Sequence, residues 1–223
     1  MSKLIDFYNR EHKTAYFQNS PSLLELTKQA LGHLPQKDLV AAELGCGQGS
    51  QLEQLSSVFQ KIEAFDFSKE ALKKANAQNN IVFKNQDLCT CPLEDNKYDL
   101  IVDAHFLHCI TRQARKRGFV LNSIKRGLKV GGVFVLEHMI TSREMTIDKM
   151  YHYEIFSKDL YLKDLAFRHI PHALDIEKEL LNEGFKIIRL KVPFGLKVTI
   201  NPLDKNPKRS DPDIIQIIAK KEA

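Results

Sequence analysis

Short apolar runs alternate along the chain with longer segments in which apolar residues recur at helical spacing. The apolar runs have the length of buried strands and lie at residues 39–44, 61–65, 81–84, 98–104 and 131–137. The helical spacing between them predicts helices at residues 52–59, 68–78 and 112–129. Strands that alternate with helices in this way are typical of an α/β fold, a parallel sheet with helices on both faces. Ligands of such sheets bind at the carboxyl ends of the strands.

The flanking segments depart from this alternation. Residues 1–38 predict an N-terminal helical cap, because Ser20 followed by Pro21 is a typical helix start. Residues 139–172 are rich in Tyr, Phe and His, and we predict a helical lid insertion there. Residues 173–223 predict a helix and then a pair of antiparallel strands. With residues 39–138 as the core, the whole of 1–223 is expected to be one domain.

Composition and charge exclude several classes of protein. Of the 223 residues, 43% are hydrophobic and 27% are charged, which supports a sizeable core. No apolar stretch approaches the roughly 20 residues of a membrane span, and the first residues lack the apolar core of a secretory signal. We therefore expect a cytoplasmic protein with no membrane contact, whose four cysteines are free thiols. A net charge of +5 permits only weak attraction to anionic partners.

The strongest local signal is a glycine-rich loop directly after the first predicted strand. Its sequence, residues 43–49, is Glu-Leu-Gly-Cys-Gly-Gln-Gly. Glycines at alternate positions let the backbone turn tightly and approach a ligand, and the following helix offers free N–H groups. A dinucleotide-binding loop would carry another glycine at the position of Ser50, so this loop departs from that pattern.

Two acidic residues follow the next predicted strands. Asp66 ends the second strand, where its carboxylate can accept both hydroxyls of a ribose. Asp87 lies just beyond the third strand, where it can meet the amino group of an adenine. Taken singly, either residue could equally be a loop acid or a helix cap.

In this order the motifs resemble those of the class I S-adenosylmethionine-dependent methyltransferases. They are ELGCGQG (43–49), AFDFS (64–68), NQDLC (85–89), YDLIVDAHFLHCI (98–110) and LKVGGVFVLEH (128–138). The resemblance implies a Rossmann-like doubly wound sheet of seven strands, mostly parallel with an antiparallel last strand. It also implies that S-adenosyl-L-methionine is the cofactor and S-adenosyl-L-homocysteine the product.

The resemblance further implies which residues contact the cofactor. The glycine loop would line the methionine part, Asp66 would bind the ribose, and the segment around Asp87 would hold the adenine. The full set of implied cofactor-binding residues is Glu43, Gly45, Cys46, Gly47, Gly49, Asp66, Phe67, Ser68, Asp87, Leu88, Asp103 and His105.

Histidines supply the candidate catalytic groups. Methyl transfer is an in-line displacement, so a base is needed only where the acceptor has a proton to lose. His105 follows the fourth predicted strand and His138 the fifth, and both are candidates for that base. His108 is expected to pack. No metal is expected, because the His and Cys pairs lack the spacing of a structural zinc site.

The predicted lid indicates the kind of acceptor. Tyr151, Tyr153 and Phe156 are lid residues interleaved with a cationic rim, which suits a small acceptor that is partly aromatic or anionic. The rim consists of Lys149, Lys158, Lys163 and Arg168. A pair of amphipathic helices that only covers the sheet edge would give the same pattern. The acceptor atom (O, N, S or C), the pathway and the oligomeric state stay open.

Two alternatives remain. A nucleic-acid methyltransferase would use the basic residues of the predicted helix and of a late loop, which are Arg112, Arg115, Lys116, Arg117, Lys125, Arg126, Lys129, Lys205, Lys208 and Arg209. Against it, enzymes that methylate base amino groups usually carry an Asn or Asp followed by two prolines and an aromatic after the fourth strand, and Asp103-Ala104-His105-Phe106 has no prolines between the acid and the aromatic. A charge run on a helix usually marks a solvated face, so no nucleic-acid partner is expected. The other alternative is a non-catalytic, cofactor-binding partner subunit.

Overall fold

A computed structural model describes residues 2–14, 20–35, 37–76, 80–111, 116–141, 149–200 and 211–223. Its helices are α1 (Ser2–Thr14), α2 (Pro21–Leu31), α3 (Lys69–Leu72), α4 (Arg117–Gly127) and α5 (Ala173–Asn182), with 3-10 helices at Gln51–Val58 and Leu107–Cys109. The strands of the main sheet are β1 (Leu39–Leu44), β2 (Phe59–Asp66), β3 (Ile81–Asn85), β4 (Tyr98–Asp103), β5 (Leu128–Ile140), β9 (Phe185–Lys191) and β10 (Asp213–Lys221).

The main sheet has seven strands in the order β3-β2-β1-β4-β5-β10-β9. Strands β1 to β5 run parallel to one another, and β10 runs antiparallel to both β5 and β9. This is the doubly wound Rossmann-like sheet with an antiparallel last strand that the motifs imply, so the predicted fold class is confirmed. The carboxyl ends of β1, β2, β4 and β5 meet at one edge.

Helices cover both faces of the sheet. On one face the strands pack against α4 and α5, through residues such as Leu121 and Leu180. On the other face they pack against α2 and the 3-10 helix Gln51–Val58, through residues such as Leu23 and Leu52. The central strands are therefore apolar on both sides, which is why their sequences are continuous apolar runs.

The start of α2 follows the predicted capping pattern. Ser20 is extended, and its Oγ accepts a hydrogen bond of 3.3 Å from the N–H of Leu23. Pro21 occupies the first turn, where its missing N–H leaves no helical bond unmade.

The predicted helical lid is wrong in the described residues. Strands β6 (Tyr151–Glu154), β7 (Asp159–Leu162) and β8 (Leu165–His169) form a separate antiparallel sheet instead. Lys158 and Lys163 take φ values of 61° and 54° between these strands. Because the left-handed turn positions hold lysine rather than glycine or asparagine, the usual hairpin signals are missing from the sequence. Residues 142–148 of the predicted lid lie outside the described residues.

Other elements differ in length or type from their predictions. The segment after the glycine loop is a 3-10 helix, and α3 covers only Lys69–Leu72 of the helix predicted at 68–78. Strand β5 begins at Leu128, before the Gly131-Gly132 pair rather than after it. A Cβ at position 132 would lie 2.9 Å from the carbonyl oxygen of Lys129, so only glycine fits at this position. None of the helices in the described ranges has the length and apolar character needed to cross a membrane.

Candidate active site at the carboxyl edge of the sheet

The glycine loop joins β1 to the 3-10 helix at the carboxyl edge. Gly45 and Gly47 have φ values of 70° and 57°, a region that favours glycine. A Cβ on Gly45 would also lie 2.8 Å from the Cβ of Phe106, so the close approach of the loop to the segment after β4 requires glycine. The N–H groups of Gly45 and Cys46 donate to the carbonyl of Phe65, at 2.8 and 3.0 Å. The loop is thereby fixed against β2.

Asp66 links the loop to the end of β2. Its buried carboxylate accepts hydrogen bonds from the N–H of Gly47 at 2.9 Å and from the N–H of Ser68 at 2.7 Å. Each carboxylate oxygen can accept a second hydrogen bond. The structure thus gives Asp66 a positioning role, and its predicted role as ribose acceptor stays a prediction.

Glu43 organises the other side of the loop. It is fully buried, and its carboxylate accepts hydrogen bonds from Ser50 Oγ and from the N–H groups of Gln51 at 2.9 Å and Leu52 at 3.3 Å. Burial raises the pKa of Glu43 to about 7, against the hydrogen bond from Ser50. Glu43 therefore caps the 3-10 helix and fixes where the loop ends.

Of the remaining loop residues, Cys46 is buried and Gly49 lies next to open space. Cys46 packs into the core beneath the loop, and burial raises the pKa of its thiol well above the usual range, so it carries no thiolate at neutral pH. Among the described residues, no atom outside its chain neighbours lies within 4 Å of where a Cβ on Gly49 would be, so this side of Gly49 faces open space.

The predicted adenine-binding segment follows β3. Asp87 Oδ1 accepts the N–H of Cys89 at 2.9 Å, which closes a turn over this segment. Leu88 is buried in the core, and Phe67, after β2, stays half-buried with Tyr8 at 5.8 Å between ring centroids. These residues line the same edge as the glycine loop, and their predicted contacts to the cofactor stay predictions.

Asp103 ends β4 and holds the turn that follows. Its fully buried carboxylate accepts the N–H groups of Phe106 at 2.7 Å and Leu107 at 2.8 Å. Burial raises the pKa of Asp103 to about 7, although these hydrogen bonds oppose that rise. Within the turn His105 takes a left-handed φ of 65°. Asp103 thereby determines the direction of the His105 side chain.

His105 pairs with a carboxylate from the neighbouring strand. Its Nε2 lies 3.6 Å from Oε2 of Glu137, and its buried Nδ1 has no hydrogen-bond partner in the described residues. Burial lowers the pKa of His105, while Glu137 acts in the opposite direction. Glu137 is itself buried and accepts hydrogen bonds from Ser20 Oγ at 3.1 Å and Gln216 Nε2 at 2.6 Å. The geometry gives His105 an oriented ring with one nitrogen free.

His138 has a different environment. It is fully buried, its Nδ1 donates to the carbonyl of Met139 at 2.7 Å, and its Nε2 accepts from Arg117 Nη2 at 3.0 Å. Burial lowers the pKa of His138 well below the usual range, and the charge of Arg117 acts in the same direction. Because both ring nitrogens are engaged, these contacts favour a packing role, and the predicted role of His138 as a base stays a prediction.

A roof lies over these strand ends. It consists of α1 and the sheet β6–β8, which pack together through Phe7, Tyr8, Leu160 and Phe167. From α1, Asn9 Oδ1 accepts Ser68 Oγ at 2.6 Å and the carbonyl of His12 accepts Gln48 Nε2 at 3.0 Å. Helix α1 therefore contacts the glycine loop and the segment after β2 directly.

Two of the three predicted lid rings take part in this roof. Tyr151 stacks on Phe167 with 5.8 Å between ring centroids, and Tyr153 Oη donates to the carbonyl of Ile170 at 2.8 Å. Phe156 is 89% exposed on the turn between β6 and β7. The contacts set Phe156 apart from the other two rings.

No role was predicted for Glu137 or Tyr8, and Arg168 was predicted only as part of the cationic rim of the lid. Glu137 could have been noticed as an acid within the apolar run of β5, directly before His138. Tyr8 carried no signal, since its Oη donates to the carbonyl of Phe167, 159 residues away in sequence, at 2.9 Å. The described part of the chain contains no cluster of three or more His, Cys, Asp or Glu that could hold a metal ion.

Comparison with known proteins agrees with this geometry. Residues 42–136 match the family model described as a methyltransferase domain. An uncharacterized methyltransferase of Schizosaccharomyces pombe is 28% identical over 127 residues, which cover 55% of this chain and 48% of that protein. The chain thus spans about half the length of this relative.

Solved structures share the fold. A chain of the complex between the Trm112 methyltransferase activator and a methyltransferase of Haloferax volcanii superposes with a TM-score of 0.68 at 14% identity, covering 99% of this chain and 97% of that one. The 1,6-didemethyltoxoflavin-N1-methyltransferase of Burkholderia thailandensis, solved with 1,6-didemethyltoxoflavin and S-adenosylhomocysteine bound, gives 0.63 at 13% identity, covering 91% and 79%. The N-methyltransferase NodS of Bradyrhizobium japonicum gives 0.62 at 14% identity, covering 91% and 95%.

The fold is that of a Rossmann-like methyltransferase domain. The family model covers residues 42–136, which carry the glycine loop, Asp66, Asp87 and Asp103, and it agrees with the class I S-adenosylmethionine-dependent methyltransferases that the motifs resemble.

Proposed function

We propose that the chain transfers a methyl group from S-adenosylmethionine to a small-molecule acceptor. The observation that carries this proposal is the glycine loop, in which Gly45 and Gly47 take left-handed conformations and Asp66 ties the loop to the end of β2. This places loop N–H groups and a carboxylate side by side at the sheet edge where ligands of such folds bind. Gly45 to Gly49 would hold the methionine part, Asp66 the ribose, and Phe67, Asp87 and Leu88 the adenine.

The elements that form the roof favour a small acceptor over a polymer. Both α1 and the sheet β6–β8 pack over the carboxyl edge, and these elements would enclose an acceptor near the segment after β4. A long polymer would have to pass between these elements. The Burkholderia methyltransferase of the same fold, which was solved with 1,6-didemethyltoxoflavin bound, is consistent with a small acceptor.

His105 is the best placed base. S-adenosylmethionine, when bound, supplies a methyl group on a positively charged sulfur. Gly45 to Gly49 and Asp66 would hold the cofactor, and it would supply its methyl carbon to the acceptor atom while the electron pair of the carbon–sulfur bond passes to sulfur. An acceptor proton moves to Nδ1 of His105, whose other nitrogen faces Glu137 at 3.6 Å. The carboxylate of Glu137 then stabilises the imidazolium, as in other oriented histidine bases.

The described basic residues give less support to a nucleic-acid substrate. Arg117 is buried and pairs with Glu179 at 2.8 Å, Arg126 pairs with Asp95 at 2.5 Å, and Lys129 pairs with Asp99 at 2.8 Å. These pairs balance the charge of three of the five described residues of this set, which also includes Lys116 and Lys125. Arg112, Arg115, Lys205, Lys208 and Arg209 lie outside the described residues. The cytoplasmic location stays a prediction.

An acceptor screen with labelled S-adenosylmethionine tests the proposal. We expect purified protein to bind S-adenosylhomocysteine in calorimetry and to label at least one small molecule. Binding to structured RNA or duplex DNA, measured in parallel on filters, should disappear at physiological salt, because isolated phosphate contacts weaken as salt rises. Labelling of RNA but of no small molecule would favour the nucleic-acid alternative. Cofactor binding without any labelling would favour the non-catalytic subunit.

A further inference from the structure

Arg168, on β8, carries a buried positive charge whose contacts are all neutral. Its side chain is only 6% exposed. Nη1 donates to Tyr8 Oη, to the carbonyl of Phe167 at 3.1 Å and to Cys109 Sγ at 3.5 Å. The guanidinium carbon lies over the rings of Tyr8 and Phe167, 5.4 and 5.0 Å from their centroids. An arginine stays charged at every physiological pH.

Only one nitrogen of the Arg168 guanidinium forms hydrogen bonds to described residues. All of them leave from Nη1, while Nε is buried and has no hydrogen-bond partner. The edge formed by Nε and Nη2 is the edge that matches the two oxygens of a planar carboxylate. Among the described residues no carboxylate forms an ion pair with this guanidinium, unlike Arg117, which holds Glu179. The charge of Glu11 acts on the guanidinium, but no carboxylate of the described residues contacts it, so a bound anionic ligand would stabilise this buried charge further.

Arg168 lies next to the segment that carries His105. Cys109, which Arg168 contacts, ends the 3-10 helix after β4, and its Sγ donates to the carbonyl of His105 at 3.4 Å. Tyr8, the other contact, lies with its ring 5.8 Å from that of Phe67 on the cofactor side. The positive charge of Arg168 also acts on the rings of His105 and His108. Arg168 is therefore a neighbour of the proposed base and lies outside the predicted cofactor contacts.

We infer that Arg168 binds a carboxylate group of the methyl acceptor through its Nε–Nη2 edge. The inference rests on the proposed function and narrows its substrate class. The acceptor carries a carboxylate at one end and its methylated atom at the other, close to His105. The neighbouring rings of Tyr8, Phe167 and Tyr151 favour an apolar or aromatic body between the two ends.

The inference can be tested before the acceptor is known, by comparing the binding of small carboxylic acids with that of their amides. Benzoate and phenylacetate, each beside its amide, are titrated into the protein with and without S-adenosylhomocysteine, and binding is followed by calorimetry. We expect at least one acid to bind more tightly than its amide by about tenfold or more, as a charged hydrogen-bonded pair provides. Wild-type protein that binds no acid in the millimolar range, or binds acid and amide equally, would overturn the inference.

Variants of Arg168 test whether its guanidinium causes the preference for the acid over the amide. In Arg168→Gln the acid should bind no better than the amide, while the affinity for S-adenosylhomocysteine stays that of the wild type. Arg168→Lys keeps the charge and loses the planar edge, so it should bind the acid about tenfold more weakly than wild type and serves where the glutamine variant does not fold. Arg189→Gln, a change at an exposed arginine of β9, is the matched control and should bind as wild type. An acid preference that survives in both Arg168 variants would contradict the inference.

The acceptor screen separates failure of this inference from failure of the proposed function. Methylation of neutral acceptors at least as fast as of their carboxylate analogues would refute the inference and leave the methyltransferase activity standing. A screen without any transfer would refute the activity, even where Arg168-dependent binding of carboxylates is found.

Discussion

At the scale of single residues, Asp66 is the best test of cofactor binding. Asp66→Ala removes the carboxylate that holds the N–H groups of Gly47 and Ser68 and that is predicted to accept the ribose hydroxyls. We expect the affinity for S-adenosylhomocysteine to fall by about 1–3 kcal/mol, the range for hydrogen bonds to charged groups. Calorimetry measures this loss. Asp95→Ala, at an exposed ion pair with Arg126, should leave the affinity unchanged. Equal affinities of wild type and Asp66→Ala would contradict the assignment.

His105 and His138 are separated by a matched pair of variants. We expect His105→Gln to lower kcat by about a hundredfold, the usual contribution of a general base, with cofactor affinity retained. His138→Ala should instead lower the melting temperature and keep kcat within a few fold, because His138 is buried between Arg117 and the carbonyl of Met139. The reverse result would make His138 the base.

The pH dependence of kcat provides a second test of His105 as the general base. A base must be neutral to act, and burial lowers the pKa of His105. The rate should therefore persist below the ordinary histidine pKa of about 6.5 and fall only as pH drops through the lowered value. His105→Gln should lose this acid limb, measured on any acceptor found in the screen.

The positions of some residues of the candidate site could be predicted from the sequence, whereas those of others depend on long-range packing. Gly45, Gly47, Asp66 and Asp103 were predictable, because strand ends fix where a loop residue lies. Glu137 was not, since its role depends on the register of β5 against β10, which places Gln216 opposite it. Arg168 shows the same limit, because its partner Tyr8 lies 160 positions away.

At the scale of elements, the sheet β6–β8 should act on the acceptor and not on the cofactor. Tyr151→Ala removes the ring that stacks on Phe167 beside Arg168. We expect KM for the acceptor to rise and the affinity for S-adenosylhomocysteine to stay the same. Ile155→Ser, at a position 71% exposed on the same sheet's turn, is the control and should change neither. Weaker cofactor binding in Tyr151→Ala would contradict this division.

The elements also show which sequence signals are reliable. The strands and helices of the core follow from apolar periodicity, because each is buried on a regular face. The sheet β6–β8 was predicted as helix because its turns rely on Lys158 and Lys163 in left-handed conformations. The energy for those conformations comes from pairing of the strands on either side, which a local pattern does not display.

At the scale of the whole molecule, buried histidines predict sensitivity to acid. Burial lowers the pKa of His108 well below its usual range, and the charges of Arg168, His105, His138 and Arg117 act in the same direction. His108 is thus neutral when folded and protonated in the unfolded chain below about 6.5. The stability it confers is complete above that pH and is lost as pH falls towards the lowered folded-state value.

Replacing His108 tests this dependence. His108→Phe should make the free energy of unfolding less steep between pH 6.5 and the lowered value, by up to about 1.4 kcal/mol per pH unit for one proton. Urea unfolding at a series of pH values measures the slope. Ile110→Val, at a neighbouring buried position, should lower stability at every pH without changing the slope. An unchanged slope in His108→Phe would show that His108 is not responsible.

The position of β10 has a consequence for how the chain is made. Strand β9 forms the edge of the main sheet, and its neighbour there is β10, which lies between β5 and β9. During synthesis β9 therefore leaves the ribosome before the strand that attaches it to the sheet. Until residues 213–221 follow, β5 exposes an unpaired edge and β9 has nowhere to dock. The main sheet can thus be completed only after translation of β10, and a ribosome stalled shortly before it would present an open sheet to chaperones and to other nascent chains.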